Sequence, residues 1–144
     1  IILILIATFL SAASAGAHCQ VPCGIYGDEL KFSELEQHIE TINKAAAQIR
    51  FISSKNPLSA QEQQQIVRWT TNKEEHAQKI IDEAANYFLA QRIALEVDHY
   101  EDKVELLHHI IVYAMKSKQR TDSEPTEILS AKISTLKELY LNHK

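Results

Sequence analysis

The chain has 144 residues, of which 45% are hydrophobic, three are Gly and three are Pro. This length and composition are typical of one globular, largely helical domain and exclude a low-complexity chain. The formal net charge is −4, and the 15 basic and 19 acidic residues are mixed along the sequence without a run of five like charges. A chain without a basic patch lacks the electrostatic footprint of nucleic-acid binding, so we expect no nucleic acid as a partner.

The first 17 residues, IILILIATFLSAASAGA, contain no charged side chain. Their apolar part, residues 1–10, is far shorter than the roughly 20 residues that span a bilayer. Ala15-Gly16-Ala17 has the small-residue pattern that a leader peptidase accepts. We predict that residues 1–17 are a signal peptide or leader, which a processing protease removes before His18. The mature protein would be exported to the periplasm, the extracellular space or an organelle lumen, without membrane contact. The alternative interpretation is a hydrophobic first helix of the core.

The mature chain would begin with an irregular segment, residues 18–31, that contains both Cys residues. A capping box of Ser33 and Glu36 then predicts the start of a first amphipathic helix. Asn56-Pro57 predicts its end. The apolar residues of this helix recur at steps of three and four, which is the helical period: Leu35, Ile39, Ile42, Ala46 and Ile49.

A second capping box, Ser59 with Glu62, predicts the start of a second helix. Its inward stripe is predicted to contain Ile66, Trp69, His76, Ile80, Ala84 and Tyr87. We interpret Trp69 as a core residue and His76 as a histidine satisfied within the core. The remaining histidines of the bundle are interpreted as surface or interface residues: His38, His99, His108, His109 and His143.

A third helix is predicted from about Asp98 to Lys118, after a loop over residues 90–97, and Pro125 has the favoured first-turn position of a fourth. The inward residues predicted for these two helices are Val104, Leu107, Ile111 and Ala114, and Leu129, Ile133, Leu136 and Tyr140. Four amphipathic helices with short connections, over about residues 33–142, predict an all-α protein, an up-and-down four-helix bundle behind an irregular N-terminal hook. The bundle by itself does not indicate a function.

Both cysteines lie in the nine residues HCQVPCGIY, His18–Tyr26, which we call the hook. After cleavage, the free amine of His18, the amide nitrogen of Cys19 and the Cys19 thiolate can form two fused five-membered chelate rings on one metal ion. Cys23, turned back by Pro22, can complete a plane of two nitrogens and two sulfurs. The position of the hook at a freed N-terminus therefore predicts a metal site.

A planar set of nitrogen and sulfur ligands is typical of Ni(II) or Cu(II), whereas zinc prefers a tetrahedral set. Nickel is the better fit of the two planar ions, because anionic thiolates and a deprotonated amide lower the Ni(III)/Ni(II) potential. The His18 imidazole could bind axially once the metal is oxidised. We therefore expect a one-electron redox centre.

The motif His-Cys-x-x-Pro-Cys-Gly-x-Tyr at a processed N-terminus, ahead of a four-helix bundle, resembles the nickel-containing superoxide dismutase family. The resemblance covers the hook in full and the bundle in outline. It implies a nickel cofactor, superoxide as the substrate, and dismutation to dioxygen and hydrogen peroxide through Ni(III)/Ni(II) cycling. It also implies assembly as a homohexamer.

The resemblance gives each of the main hook residues a role. His18 supplies the amine and the axial imidazole, Cys19 its amide nitrogen and sulfur, and Cys23 the second sulfur, so these three residues are the implied metal ligands. Tyr26 matches a tyrosine that positions or gates the anion beside the nickel. A second such tyrosine, followed by Phe, matches Tyr87-Phe88.

The resemblance also implies partners that steady the axial imidazole, one acidic and one basic, from the first two helices. Glu34 or Glu36, with Arg68 or His76, are candidates for these partners. Gln20 departs from the family pattern, because some members have an acidic residue there. In the family that side chain does not ligate the metal.

Two other interpretations of the sequence stay open. The first is a secreted helical module in which Cys19 and Cys23 form a structural disulfide, or bind nickel or copper without catalysis. The second is a carboxylate di-iron bundle, since Glu96-x-x-His99 and Glu105-x-x-His108 have the Glu-x-x-His spacing of such proteins. Those motifs are nine residues apart, however, so on one helix they would lie on opposite faces, at about 100° per residue.

Overall fold

The computed structural model of the protein describes residues 27–142. These residues form α1 (Asp28–Ser53), α2 (Ala60–Asp82), α3 (Tyr100–Gln119) and α4 (Glu124–Asn142), and a π-helical segment, Glu83–Arg92, continues α2. Each helix packs on the next one in the chain, and α4 packs back on α1. The predicted all-α four-helix bundle is therefore confirmed, and the described residues contain no strand. None of the described helices is long and apolar enough to cross a membrane.

Helix α1 begins earlier than predicted. Gly27 is its N-cap, and Asp28 and Glu29 place two carboxylates in the first turn, where the helix dipole favours negative charge. The capping box predicted at Ser33 is wrong, because Ser33 Oγ donates to the carbonyl oxygen of Glu29 inside the helix. The predicted apolar stripe is confirmed by five buried residues: Leu35, Ile39, Ile42, Ala46 and Ile49.

Helix α2 begins with the capping box that the sequence predicts. Ser59 Oγ accepts a hydrogen bond from the Glu62 amide at 3.3 Å, and Glu62 Oε2 accepts one from the Ser59 amide at 2.9 Å. Each bond satisfies a backbone donor that the first turn of a helix leaves without a partner. The start of α2 is therefore fixed by local sequence.

The predicted inward stripe of the second helix is only partly correct. Its later part is buried at Ile80, Ala84 and Tyr87. Ile66 and Trp69 are only partly buried, so the prediction of Trp69 as a core residue is wrong. The same is true of the whole first half of α2, where no residue before Lys73 is buried. His76 is also partly exposed, and its contact is the ring of His38 on α1.

Helical structure continues beyond the predicted end of the second helix. The π-helical segment runs to Arg92, so the connection to α3 begins at Ile93 instead of residue 90. Helix α3 then starts at Tyr100, close to the predicted Asp98. Of its predicted inward residues, Leu107 and Ala114 are buried, whereas Val104 and Ile111 are partly buried. The face of α3 that packs between α2 and α4 includes four other buried residues: Lys103, Leu106, Ile110 and Ser117.

Helix α4 agrees with the prediction along its whole length. Pro125 lies in its first turn, and the four predicted inward residues are buried: Leu129, Ile133, Leu136 and Tyr140. Near the end of α4, the ring of Phe88 lies between two others, with centroid distances of 4.8 Å to Phe32 and 5.7 Å to Tyr140. Burying each such aromatic side chain contributes roughly 2–3 kcal/mol. This aromatic cluster closes the core at the bundle end where α1 starts.

A buried lysine holds the end of α3. Lys73 is 2% exposed. Its Nζ donates to the carbonyl oxygens of Ser117 at 2.6 Å, Lys118 at 2.6 Å and Arg120 at 3.1 Å. The last carbonyls of a helix have no partner within the helix, and a cation there is favourable with respect to the helix dipole. Burial lowers the pKa of Lys73. Lys73 therefore acts as a C-terminal cap supplied by a neighbouring helix.

We expect Lys73→Met to lower the free energy of unfolding by about 2–3 kcal/mol, because it leaves those carbonyl oxygens buried without their donor. Because methionine keeps most of the apolar stem of lysine, the change in the free energy of unfolding measures the contribution of the hydrogen bonds. Urea unfolding followed by circular dichroism measures it. Lys44→Met, at an exposed position on α1, is the control. Equal unfolding midpoints for the two variants would contradict the capping role.

Candidate metal centre

The predicted site residues precede residues 27–142, which the structure describes, and stay predictions: His18, Cys19, Cys23 and Tyr26. The structure describes the end of the bundle to which the hook is joined. Gly27 is exposed, and Asp28 begins α1. The starts of α1 and α3, the π-helical segment and the end of α4 lie together at this end. We call it the hook end.

Asp28 is the centre of a buried cluster at the hook end. Its side chain is 8% exposed, and Arg92 Nε lies 3.2 Å from its Oδ1 as an ion pair. Tyr87 Oη donates to Oδ1 at 2.7 Å, and Tyr140 Oη donates to Oδ2 at 3.2 Å. A buried carboxylate is stable only with such partners, since an unpaired one costs several kcal/mol. We call these four residues the Asp28 cluster; it ties the start of α1 to the π-helical segment and to α4.

The π-helical segment is what brings Tyr87 and Arg92 together. Its backbone bonds join residues five apart, and the Ile93 amide donates to the Phe88 carbonyl in this way at 3.1 Å. Tyr87 and Arg92 have the same separation. The Arg92 guanidinium carbon lies 4.8 Å from the centroid of the Tyr87 ring, and Nη2 donates to Tyr87 Oη at 3.0 Å. An α-helix, with 3.6 residues per turn, would turn these two side chains apart.

The surroundings of the cluster keep its hydroxyl groups protonated. Burial, followed by the hydrogen bond to Asp28, raises the pKa of Tyr87. Burial, followed by the charge of Asp28, raises the pKa of Tyr140. The hydrogen bond to Tyr87 is the main cause of a raised pKa for Arg92. At neutral pH the two tyrosines are therefore hydrogen-bond donors, and Arg92 is a cation.

Two lysines add positive charge at the hook end. Lys31 Nζ lies 2.8 Å from Glu83 and 3.0 Å from Glu34. Burial lowers the pKa of Lys31, but its hydrogen bonds to Glu83 and Glu34 outweigh that effect, and the pKa is raised overall. Lys103 is 1% exposed, with its Nζ 5.7 Å from the centroid of the Tyr140 ring. With the guanidinium of the Asp28 cluster, these side chains give the hook end three cationic groups, beside the carboxylates of Asp28, Glu34 and Glu83.

The four candidates for steadying the axial imidazole lie in different places. Glu34 shares its partner Lys31 with Glu83 of the π-helical segment, so it belongs to the hook end. Glu36 is paired with a lysine of α4. Arg68 is exposed on the first half of α2. His76 contacts a histidine of α1 at mid-bundle. Of the four candidates, only Glu34 lies at the hook end; which of them contacts His18 stays a prediction.

The Glu-x-x-His motifs do not form one site. Glu96 and His99 lie in the connection before α3, whereas Glu105 and His108 lie on α3, and all four are exposed. Within residues 27–142 there is no group of three or more His, Cys, Asp and Glu side chains that could hold a metal ion. A di-iron bundle builds its site from inward-facing residues, so the positions of these motifs do not fit one.

Reasoning from sequence missed Asp28 and Arg92. Asp28 lies in a segment predicted to be irregular, and Arg92 in a predicted loop. An acidic residue in a first helical turn is a usable signal, but only when the helix start is placed correctly. Periodicity predicted Tyr87 as a core residue, and only the resemblance gave it a role in the site; the structure puts it in the same cluster as Asp28.

Comparison with known proteins identifies the family. The family model described as nickel-containing superoxide dismutase matches residues 13–144, which include the hook and all four helices. Searches of curated proteins and of solved structures found no match. The family's enzymes are oxidoreductases that act on superoxide with nickel as the cofactor. Because the match covers most of the chain, the protein belongs to the nickel-containing superoxide dismutase family.

Proposed function

We propose that the mature protein, beginning at His18, dismutates superoxide at a nickel ion held by its N-terminal hook. The family supplies the activity and the metal; the proposal adds the ligands His18, Cys19 and Cys23 and the tyrosine Tyr26. The observation that carries it is the family match, which runs through the hook as well as the bundle. That match favours an enzyme over a secreted module that only binds metal or closes a disulfide.

The donor set of the hook suits nickel. Two thiolates, an amine and an amide nitrogen are the kind of nitrogen and sulfur ligands that a planar divalent ion takes, and the His18 imidazole adds a further nitrogen. Bound nickel supplies one-electron chemistry between Ni(II) and Ni(III). Overall, two superoxide anions and two protons give one dioxygen and one hydrogen peroxide.

The protein's own residues bind the anion, hold protons and fix the base of the hook. In our proposal the Tyr26 hydroxyl positions superoxide and holds a proton beside it. Tyr26 is two residues from Asp28 in the chain, and each residue spans at most about 3.6 Å. The hydrogen bonds of Asp28 to Tyr87 and Tyr140 therefore limit how far Tyr26 can move. Tyr87, the second tyrosine of the resemblance, is bound to the same carboxylate.

The proposed function includes export and assembly of the protein. We propose that a protease removes residues 1–17 during export and that the protein forms a homohexamer. Phe51, Val67 and Leu95 are 60%, 65% and 75% exposed, and subunit contacts at these positions would remove apolar surface from water. Light scattering of the purified protein measures the number of chains.

Metal content together with activity tests the proposed function. Protein that begins at His18 is folded with nickel, copper and zinc in competition, analysed for its elements, and then assayed with superoxide. We expect a single nickel per chain and activity in the same sample. The Cys19→Ser/Cys23→Ser variant is the control and should lose the nickel of the hook and the activity while keeping its helical circular dichroism. A stable bundle with a Cys19–Cys23 disulfide and no nickel would refute the proposal.

We expect Tyr26→Phe to keep its nickel but to change catalysis, most clearly at high superoxide concentration or in product release. The variant removes only the hydroxyl that positions the anion. Stopped-flow kinetics over a range of superoxide concentrations measures the change. Tyr113→Phe, at a partly exposed position on α3, is the matched control. Unchanged kinetics for Tyr26→Phe under all conditions would count against the gating role.

A further inference from the structure

Two histidines of neighbouring helices face each other at mid-bundle. His38 of α1 and His76 of α2 have their Nδ1 atoms 3.1 Å apart. Their ring centroids are 4.9 Å apart, and the ring planes are nearly perpendicular, at 83°. Both side chains are partly exposed, so the pair is open to solvent. Ten residues of helix separate His38 from Asp28, which places the pair roughly 15 Å from the hook end.

The spacing of the two nitrogens suits a shared metal ion. Imidazole nitrogens bind transition metals at about 2.0–2.1 Å, so two of them on one ion lie roughly 2.9 Å apart at a right angle and 3.4 Å apart at a tetrahedral angle. The observed 3.1 Å lies between these values.

Without a metal, the Nδ1–H group of one ring donates a hydrogen bond to the Nδ1 atom of the other. On metal binding that ring would change tautomer, so that Nε2 carries the proton in place of Nδ1. Both rings then stay neutral, with Nδ1 free as a ligand and Nε2 protonated. The hydrogen bond between the two Nδ1 atoms is lost in this exchange, and the two metal–nitrogen bonds replace it.

The charged groups around the two histidines are two lysines and two glutamates, so their formal charges cancel. Lys31 and Glu34 on α1, and Glu75 and Lys79 on α2, act on the two rings. Burial lowers the pKa of His38, followed by the charges of His76 and Lys79. Burial, followed by Lys79, also lowers the pKa of His76. At neutral pH the rings are therefore neutral, as metal ligands must be.

We propose that His38 and His76 form a second metal site, separate from the hook, for a borderline divalent ion such as Cu²⁺, Zn²⁺ or Ni²⁺. Imidazole is a good ligand for all three ions, and Cu²⁺ is expected to bind most tightly of them. Within residues 27–142 no group of three His, Cys, Asp and Glu side chains surrounds a metal position. Water therefore completes the coordination, and the ion is exchangeable.

Calorimetric titration with Zn²⁺ tests this site. The chain beginning at His18 with Cys19→Ser and Cys23→Ser is the parent, so that the hook thiolates do not compete. His38→Gln and His76→Gln are each added to it, with His108→Gln, an exposed position on α3, as the matched control. We expect the first two variants to weaken zinc binding by roughly tenfold or more, since even the loss of a group beside a ligand costs that much.

The control variant should bind zinc like the parent. If His38→Gln and His76→Gln bind zinc with the parent's stoichiometry and affinity, or if the parent binds no zinc outside His18, the proposal is wrong. Circular dichroism checks the fold of each variant. Should a variant not fold, ¹⁵N NMR of the imidazoles in the parent decides: zinc must change the Nδ1 signals of two bundle histidines. Unchanged signals would also overturn the site.

Discussion

A chain that keeps Ala17 ahead of His18 is expected to have no superoxide dismutase activity. An extra residue turns the terminal amine of His18 into an amide and moves its imidazole away from the chain end. The chelate that begins with that amine cannot form, so nickel content should also fall. The measurement compares metal content and superoxide decay for chains that begin at Ala17 and at His18.

The control for this experiment is a comparison of how well the two chains fold. Both chains contain every residue of the bundle, and we expect the same helical circular dichroism and the same unfolding midpoint for each. Loss of activity with an intact fold assigns the effect to the N-terminus. An active chain that retains Ala17 would refute the hook as the metal centre.

Asp28→Ala is expected to give the largest loss of stability. It removes the carboxylate that pairs with Arg92 and accepts the hydroxyls of Tyr87 and Tyr140. Breaking a buried ion pair from one side leaves the other charge uncompensated, which costs about 3 kcal/mol or more. The free energy of unfolding from urea titration measures this loss. In the proposed function, activity and nickel retention should fall as well, because the base of the hook loses its anchor.

Two further variants separate the contributions to this loss. Asp28→Asn keeps the shape of the side chain and one oxygen acceptor but loses the charge, so we expect a smaller cost of about 1–2 kcal/mol. Glu29→Ala changes the exposed acidic neighbour in the same helical turn and should cost little. If Asp28→Ala unfolds at the same urea concentration as Glu29→Ala, the cluster does not stabilise the bundle.

Much of the fold follows from local pattern. The steps of three and four from Leu35 to Ile49 and from Leu129 to Tyr140 predict faces that are buried in the structure. The Ser59 capping box is equally local and is also confirmed. These features depend on neighbours within one or two turns, so a single sequence is sufficient to predict them.

The errors arise where packing overrides local pattern. Ser33 and Glu36 have capping-box spacing, but the helix has already begun at Asp28, whose carboxylate is held by residues of other segments. Trp69 has the right period for the core, yet no residue in the first half of α2 is buried. Periodicity gives the face of a helix but not the length over which a neighbour covers it.

The candidate site divides in the same way. The hook ligands His18, Cys19 and Cys23 stay predictions, and they could be proposed from sequence because a chelate at a chain terminus needs residues close together in the chain. The Asp28 cluster could not, since Asp28 bonds to residues 59 and 112 positions away. Arg92 contacts Tyr87, five residues before it, and neither the period of an α-helix nor that of a strand predicts a contact at that spacing.

The bond between Asp28 and Tyr140 has a consequence for the order of events during biosynthesis. It joins the first turn of α1 to the last turns of α4. The ribosome translates the hook sequence long before it translates Tyr140. The hydrogen bond from Tyr140 to Asp28 can form only after α4 has been translated and has packed on the bundle. Nascent chains that end before Tyr140 cannot complete the Asp28 cluster. A C-terminal truncation that removes Tyr140 therefore takes a hydrogen-bond donor from the first turn of α1, at the opposite end of the sequence.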